Sequence, residues 1–183
     1  MSVMGLVLAG GQSTRFGSDK ALAVLGGDTL LARAVATLSA WCETVVIAGR
    51  DDAAAQGLGH CIPDWPRPGL GPLAGIAAGL AHARAHGFAS VLSCGVDSVG
   101  LPPDTLDALT PPSAYLASQP VIGHWLVDAE EAAVAILQSE GRRSMLAYAA
   151  RAHARPVNAA STPANINTPA DLARIQAAEL EHK

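Results

Sequence analysis

The chain has 183 residues, half of them hydrophobic and only 15% charged, so it can bury a sizeable core and is not disordered. Its net charge of −4 argues against non-specific nucleic-acid binding, which needs a basic surface, and any phosphate ligand must be captured by a local cluster of cations. No apolar run reaches bilayer length, and Met1-Ser2-Val3 leads straight into a strand rather than through a signal peptide.

Val3 to Leu8 reads as a short buried strand. Gly10-Gly11 then opens a polar loop that carries Arg15 and Lys20. Paired glycines alone read as a tight turn. With two cations at this spacing the loop reads as a phosphate cradle, because glycine lets backbone amides approach a ligand closely. It is not a P-loop, since Lys20 follows Ser18-Asp19 and precedes Ala21, and Gly-x-Gly-x-x-Gly is absent.

The next segment, Thr29 to Trp41, has apolar residues at helical spacing with Asp28 as its N-cap, and Thr44 to Ala48 is a second strand. Pro63 to Gly71 is a loop. Pro72 sits at a first helical position, Leu73, Ile76, Leu80 and Ala83 form a stripe, and Gly87 ends it. Ala89 to Cys94 is a third strand, followed by Asp97, a Pro102-Pro103 turn and a short helix over Thr105 to Leu109. Tyr115 to Ser118 and Val121 to Val127 are two close strands, which makes the sheet mixed. Asp128 with Glu131 forms a capping box for a helix to Ser139, and Thr168-Pro169-x-Asp171 starts the last helix.

This alternation predicts an α/β three-layer sandwich with a mostly parallel sheet, residues 1–183 forming one domain. Ligands in such sheets bind beyond the C-terminal strand ends, so the loops after Leu8, Ala48 and Cys94 share one rim. Cys42, Cys61 and Cys94 form no CxxC pair and suit a reducing cytoplasm, the six histidines are read as lacking a metal-type spacing, and no structural zinc is expected. Trp41, Trp65 and Trp125 read as packing residues. Three segments converge on the rim: the Gly10–Lys20 loop, Asp64 before Gly71-Pro72-Leu73-Ala74-Gly75, and Asp97. A carboxylate facing a phosphate loop is what Mg2+ needs, a hard cation that takes few protein oxygens and shares the substrate's phosphates.

The motifs resemble those of the molybdenum cofactor guanylyltransferases, the MobA-like branch of the nucleotidyltransferases. The family pattern L-A-G-G-x-S-x-R-M-G-x-D-K is matched by Leu8 to Lys20 with Phe16 for Met, and G-P-L-A-G by Gly71 to Gly75. D-x-P-x-L-P-P-D is matched at Asp97, Leu101, Pro102, Pro103 and Asp104, N-I-N-T-P-x-D-L at Asn165 to Leu172, and a G-R-R turn at Gly141 to Arg143. Two departures stand out: Ser98-Val99 replaces Thr-Pro, and Ile47-Ala48-Gly49-Arg50 lacks an Asn that some relatives carry.

The resemblance implies a Rossmann-like fold of the nucleotide-diphospho-sugar transferase type. It implies transfer of GMP from GTP to the terminal phosphate of molybdopterin, with release of pyrophosphate. Arg15, Lys20 and Asp97 would then be catalytic, with Asp97 holding Mg2+. Leu8, Ala9, Gly10, Gly11, Lys20, Asp64 and Asp97 would bind GTP, and Arg142, Arg143, Asn165 and Asn167 the acceptor. Cytidylyl-transferring relatives have L-A-A-G, so the missing Cβ at Gly10 is read as room for a two-ring base. Cofactor carrier or insertion proteins are the implied partners, with no nucleic acid or membrane. A cytidylyl- or sugar-phosphate nucleotidyltransferase, or a silent nucleotide-binding module of the same fold, stays open at this point.

Overall fold

The computed structural model describes residues 2–11, 16–159 and 161–181. In chain order the first elements are β1 (Val3–Leu8), a 3-10 turn (Lys20–Leu22), β2 (Val24–Leu25), β3 (Asp28–Thr29), α1 (Leu30–Ser39) and β4 (Thr44–Ala48). Next come α2 (Ala53–Gln56), β5 (His60–Ile62), α3 (Pro72–Ala85), β6 (Ser90–Gly95), β7 (Ser98–Val99) and α4 (Thr105–Ala108). The chain finishes with β8 (Ala114–Leu116), β9 (Gly123–Leu126), α5 (Glu130–Gln138), α6 (Met145–Arg151), β10 (Arg155–Val157), β11 (Ala164–Asn165) and α7 (Pro169–Glu181).

Seven strands form the central sheet in the order β10-β8-β9-β6-β1-β4-β5. β1 pairs parallel with β4 and β6, β4 with β5, and β10 with β8, while β9 runs against both of its neighbours. Alternation along β1 sets the layers. Met4, Leu6 and Leu8 pack on one face against Leu73, Ile76 and Leu80 of α3, and α5 and α6 add Ala133, Ile136 and Tyr148. Val7 points to the other face, against Leu31, Ala34, Val35 and Leu38 of α1. The result is the expected three-layer sandwich with a mostly parallel sheet. At Gly79 an added Cβ would lie 2.4 Å from Leu6 Cδ2, so glycine there lets α3 settle onto β1. Leu8 is level with Ala48 and with Gly95, which puts the three strand ends on one rim.

Four local expectations are corrected. Asp28 does not cap α1: it pairs with Leu25 across Gly26-Gly27, whose φ values of 64° and 103° build the tight hairpin turn, and Thr29 Oγ1 takes the Ala32 amide instead. Asp128 and Glu131 form no capping box, because a 3-10 turn over Val127–Ala129 precedes α5 and Asp128 pairs with Arg84. Trp125 is buried and donates to Ser93 Oγ (2.9 Å), but Trp65 stands 39% exposed. His82 and His86 do stand at a metal-type spacing, four residues apart on α3, and stack with centroids 4.0 Å apart, although no third ligand joins them among the described residues. The last helix starts as expected, with Thr168 and Asp171 bonded to each other reciprocally. No helix among the described residues is long and apolar enough to cross a membrane.

Candidate active site

The rim encloses a cleft of about 480 Å³, within the range of small-molecule sites. Leu8, Ala9, Gly10 and Gly11 line its β1 side, Gly71 and Pro72 its α3 side, and Gly95, Val96 and Asp97 its β6 side. Ser118, Gln119, Pro120, Val121 and Asn165 form the opposite wall.

Lys20 enters this space because of local capping. Asp19 Oδ1 accepts the Ala21 amide at 3.1 Å and starts the 3-10 turn on which Lys20 stands. Lys20 Nζ then donates to Asp97 Oδ2 at 2.8 Å, with the two side chains 16% and 25% exposed. A Cβ on Gly95 would lie 2.4 Å from Asp97 Oδ1, so that glycine provides the space the carboxylate occupies. The Asp97 loop is tied to β1 by Val96 N donating to the Leu8 carbonyl, and to β11 by Ile166 N donating to the Asp97 carbonyl.

Asp64 lies on the other side of β1, past β5. Added Cβ atoms on Gly10, Gly49 and Gly75 would lie 2.9, 3.1 and 3.2 Å from its carboxylate oxygens. Glycine backbones thus wrap the group, burial pushes its pKa up, and no hydrogen-bond partner holds it among the described residues. This corrects the reading of Gly10: a Cβ there would meet Asp64 Oδ2 and the Gly49 backbone, so the vacated space serves the carboxylate and not a base directly. Gly49 is the tightest crossing, with φ of 86° and an added Cβ only 2.5 Å from Gly10 Cα.

Sequence reasoning passed over Arg50. Its guanidinium grips both oxygens of Asp19 (3.1 and 2.7 Å) and also Asp52, which holds it firmly protonated, the Asp19 bonds contributing most. The β4 loop thereby braces the loop that carries Lys20. The one available signal was a cation flanked by acids just past a rim strand. Gln119 and Ser98, both buried, were likewise not singled out as site residues.

Of the acceptor residues expected from sequence, Asn165 is on the cleft wall. Asn167 is exposed, with its amide donating to Asp171. Arg142 and Arg143 are exposed between α5 and α6 and are not among the lining residues; Arg143 donates to the Ser139 carbonyl. Arg15 lies outside the described residues. Among the described residues no group of three His, Cys, Asp or Glu side chains could hold a metal. A divalent ion at Asp97 would therefore draw its other ligands from substrate oxygens and water.

A glycine loop, a lysine and two carboxylates at the C-terminal rim of a mostly parallel sheet define a nucleotide-handling α/β protein. The MobA-like NTP transferase domain matches residues 5–168, and the chain belongs to that family. It is 36% identical to the molybdenum cofactor guanylyltransferase of Rhodobacter capsulatus, with 96% of each chain covered. It is also 36% identical to that of Bradyrhizobium sp. (strain ORS 278), over 96% of this chain and 92% of the relative. The crystal structure of molybdopterin-guanine dinucleotide biosynthesis protein A from Archaeoglobus fulgidus shares the fold, with a TM-score of 0.76, 23% identity, and 97% and 99% of the two chains covered.

Proposed function

We propose that the chain moves GMP from GTP onto the phosphate of molybdenum-bound molybdopterin, releasing pyrophosphate, with residues 1–183 acting as one nucleotidyltransferase domain. The observation that carries this reading is the convergence of Lys20, Asp97 and Asp64 on one glycine-floored cleft. A phosphate monoester is largely ionised near neutral pH, with a second pKa of about 6, so the nucleophile needs no dedicated base. What the reaction needs is positive charge and fixed donors around the α-phosphate and the leaving pyrophosphate. Lys20 supplies the charge, the Gly10 and Gly11 amides supply donors, and Arg15 is proposed beside them. Asp97, whose carboxylate occupies the space left by Gly95, would hold Mg2+, which would supply Lewis-acid polarisation of the phosphate oxygens.

Asp64 is assigned to the base. Its carboxylate accepts only, and guanine offers the adjacent donors N1–H and N2–H₂ on one edge, whereas cytosine offers the single N4 amino donor. Asn165 carries the acceptor side, since Arg142, Arg143 and Asn167 stand off the lining. Handover to a cofactor carrier or insertion protein in the cytoplasm belongs to the same reading.

The test is pyrophosphate release by the purified chain with Mg2+, molybdenum-bound molybdopterin and either GTP or CTP, the product being weighed by mass spectrometry. The expected result is a guanine dinucleotide and little turnover with CTP. Faster turnover with CTP overturns the base assignment, and no pyrophosphate from any nucleotide overturns the enzyme reading.

A further inference from the structure

Gln119 sits in the turn between β8 and β9, and its backbone is pinned at both ends. Its amide donates to the Leu116 carbonyl (3.1 Å), and its carbonyl accepts from the Ile122 amide (2.9 Å). Ser93 Oγ of β6 donates to the Val121 carbonyl at 2.7 Å and ties the same turn to the sheet. From this post the side chain bridges two other segments. Gln119 Oε1 accepts from Ser98 Oγ at 3.0 Å, and Gln119 Nε2 donates to the Pro163 carbonyl at 2.5 Å.

Each partner adjoins a cleft residue. Ser98 directly follows Asp97, and Pro163 stands two residues before Asn165. β7 and β11 pair over only two residues each, so the ladder between these segments is short. A buried amide can strengthen it because it offers an acceptor at one end and a donor at the other, both held at fixed geometry. Ser98 and Gln119 are only 6% and 7% exposed, so each bond is made away from water and losing one strands a buried polar group. Ser98, which stands in the segment that departs from the family pattern, thus has its hydroxyl spent on the wall.

We infer that Gln119 is a positioning residue for nucleotidyl transfer: by bridging Ser98 and Pro163 it holds Asp97 and Asn165 in register across the cleft. The inference rests on the nucleotidyl-transfer reading above for the roles of those two residues. Gln119 itself moves no proton and forms no covalent bond.

Three variants separate the ends of the bridge. Gln119→Leu keeps the size and cuts both bonds, Ser98→Ala cuts the Asp97 end, and Gln119→Glu keeps the Ser98 bond while setting an acceptor against the Pro163 carbonyl. Readouts are kcat and KM per folded molecule, GTP affinity in EDTA, and Mn2+ affinity of the GTP complex by electron paramagnetic resonance. Gln119→Leu is expected to lower kcat about tenfold or more, since a small misplacement of reacting groups has that scale of effect. Metal-free GTP affinity is expected to hold. Ser98→Ala is expected to weaken Mn2+ binding with acceptor KM unchanged, and Gln119→Glu to raise acceptor KM with Mn2+ binding unchanged.

A Gln119→Leu chain that loses only thermal stability overturns the inference. If that variant does not fold, unaltered Mn2+ affinity in Ser98→Ala together with unaltered acceptor KM in Gln119→Glu overturns it equally. A wild-type chain that binds Mn2+ and GTP but transfers no GMP overturns the functional reading instead. The Mn2+ affinities of the Ser98→Ala and Gln119→Leu variants then still decide the role of Gln119, weakening supporting it and constancy sinking it.

Discussion

The two sides of β1 hold their carboxylates in opposite circumstances. On the β6 side Asp97 is paired with Lys20, so the two charges offset each other. On the β5 side Asp64 has given up hydration to three close glycine backbones and has no partner among the described residues. An unpartnered, partly desolvated group in a cleft is a marker of ligand contact. Under the proposed function the paired side would instead exchange partners, Lys20 turning to phosphate and Asp97 to a cation. One side is prepared for a charge exchange, the other for hydrogen-bond donors.

The comparison breaks most sharply if its charged pair is removed. Asp97→Asn and Lys20→Ala are each expected to cut turnover by about a thousandfold, the scale of losing a group that stabilises developing charge. Pyrophosphate release under saturating GTP measures it, and turnover near wild type in either variant removes that residue from the mechanism. Lys20→Met adds a sharper contrast. It frees Asp97, so Mn2+ should bind the nucleotide-free chain more tightly while GTP binds more weakly.

The glycine-built side is tested next through stability. Gly49→Ala forces a left-handed residue to carry a Cβ 2.5 Å from Gly10 Cα, where backbone and not a flexible side chain must yield. Strain and overpacking together should cost about 3 kcal/mol or more. Gly87→Ala is the control: its φ of 78° is similarly strained, but nothing lies within 4 Å of the added atom. About 1–2 kcal/mol is expected there. Equal losses in urea unfolding would mean that conformation alone, and not the Gly10–Gly49 crossing, makes glycine necessary.

Much of this site is legible in the sequence, for physical reasons that also mark the limit. The rim follows from apolar runs that end at Leu8, Ala48 and Cys94, because parallel strands in register bring their loops together. Lys20 and Asp97 stand out because a metal-assisted phosphate site needs a cation and a carboxylate beside glycine, and Asp64 stands out by its place before Gly71 to Gly75. What stays hidden is pairing between distant segments. Asp19 and Arg50 are 31 residues apart, and Gln119 and Pro163 are 44 apart, so no local pattern announces either contact. Asp28 misleads for a related reason. It is a good capping residue, but a Gly-Gly turn recruits it into a hairpin and Thr29 takes the cap. Gly10 is legible as a required glycine, yet what fills its space, Asp64, comes from beyond a different strand.

The smallest expected effect lies at Asp64, where the two sides should differ in sign. Burial raises its folded-state pKa above the ordinary carboxylate value, so the ionised form opposes folding above the unfolded pKa. That opposition is relieved as pH falls through the raised folded-state pKa. Asp64→Asn should therefore leave the free chain slightly more stable at neutral pH, whereas Asp97→Asn removes a partner from Lys20 and should bring no such gain. Binding runs the other way. A carboxylate that accepts two donors from guanine loses that capacity on protonation, so GTP affinity should weaken on acidification, beginning above the usual range near about 4. Asp64→Asn should lower GTP affinity about tenfold at neutral pH, the value of a charge-assisted bond, and should flatten the acidic limb. Calorimetric titration of GTP from neutral to mildly acid pH reads both. An unchanged acidic limb in Asp64→Asn would assign the titration to another group and return Asp64 to a purely structural place among its glycines.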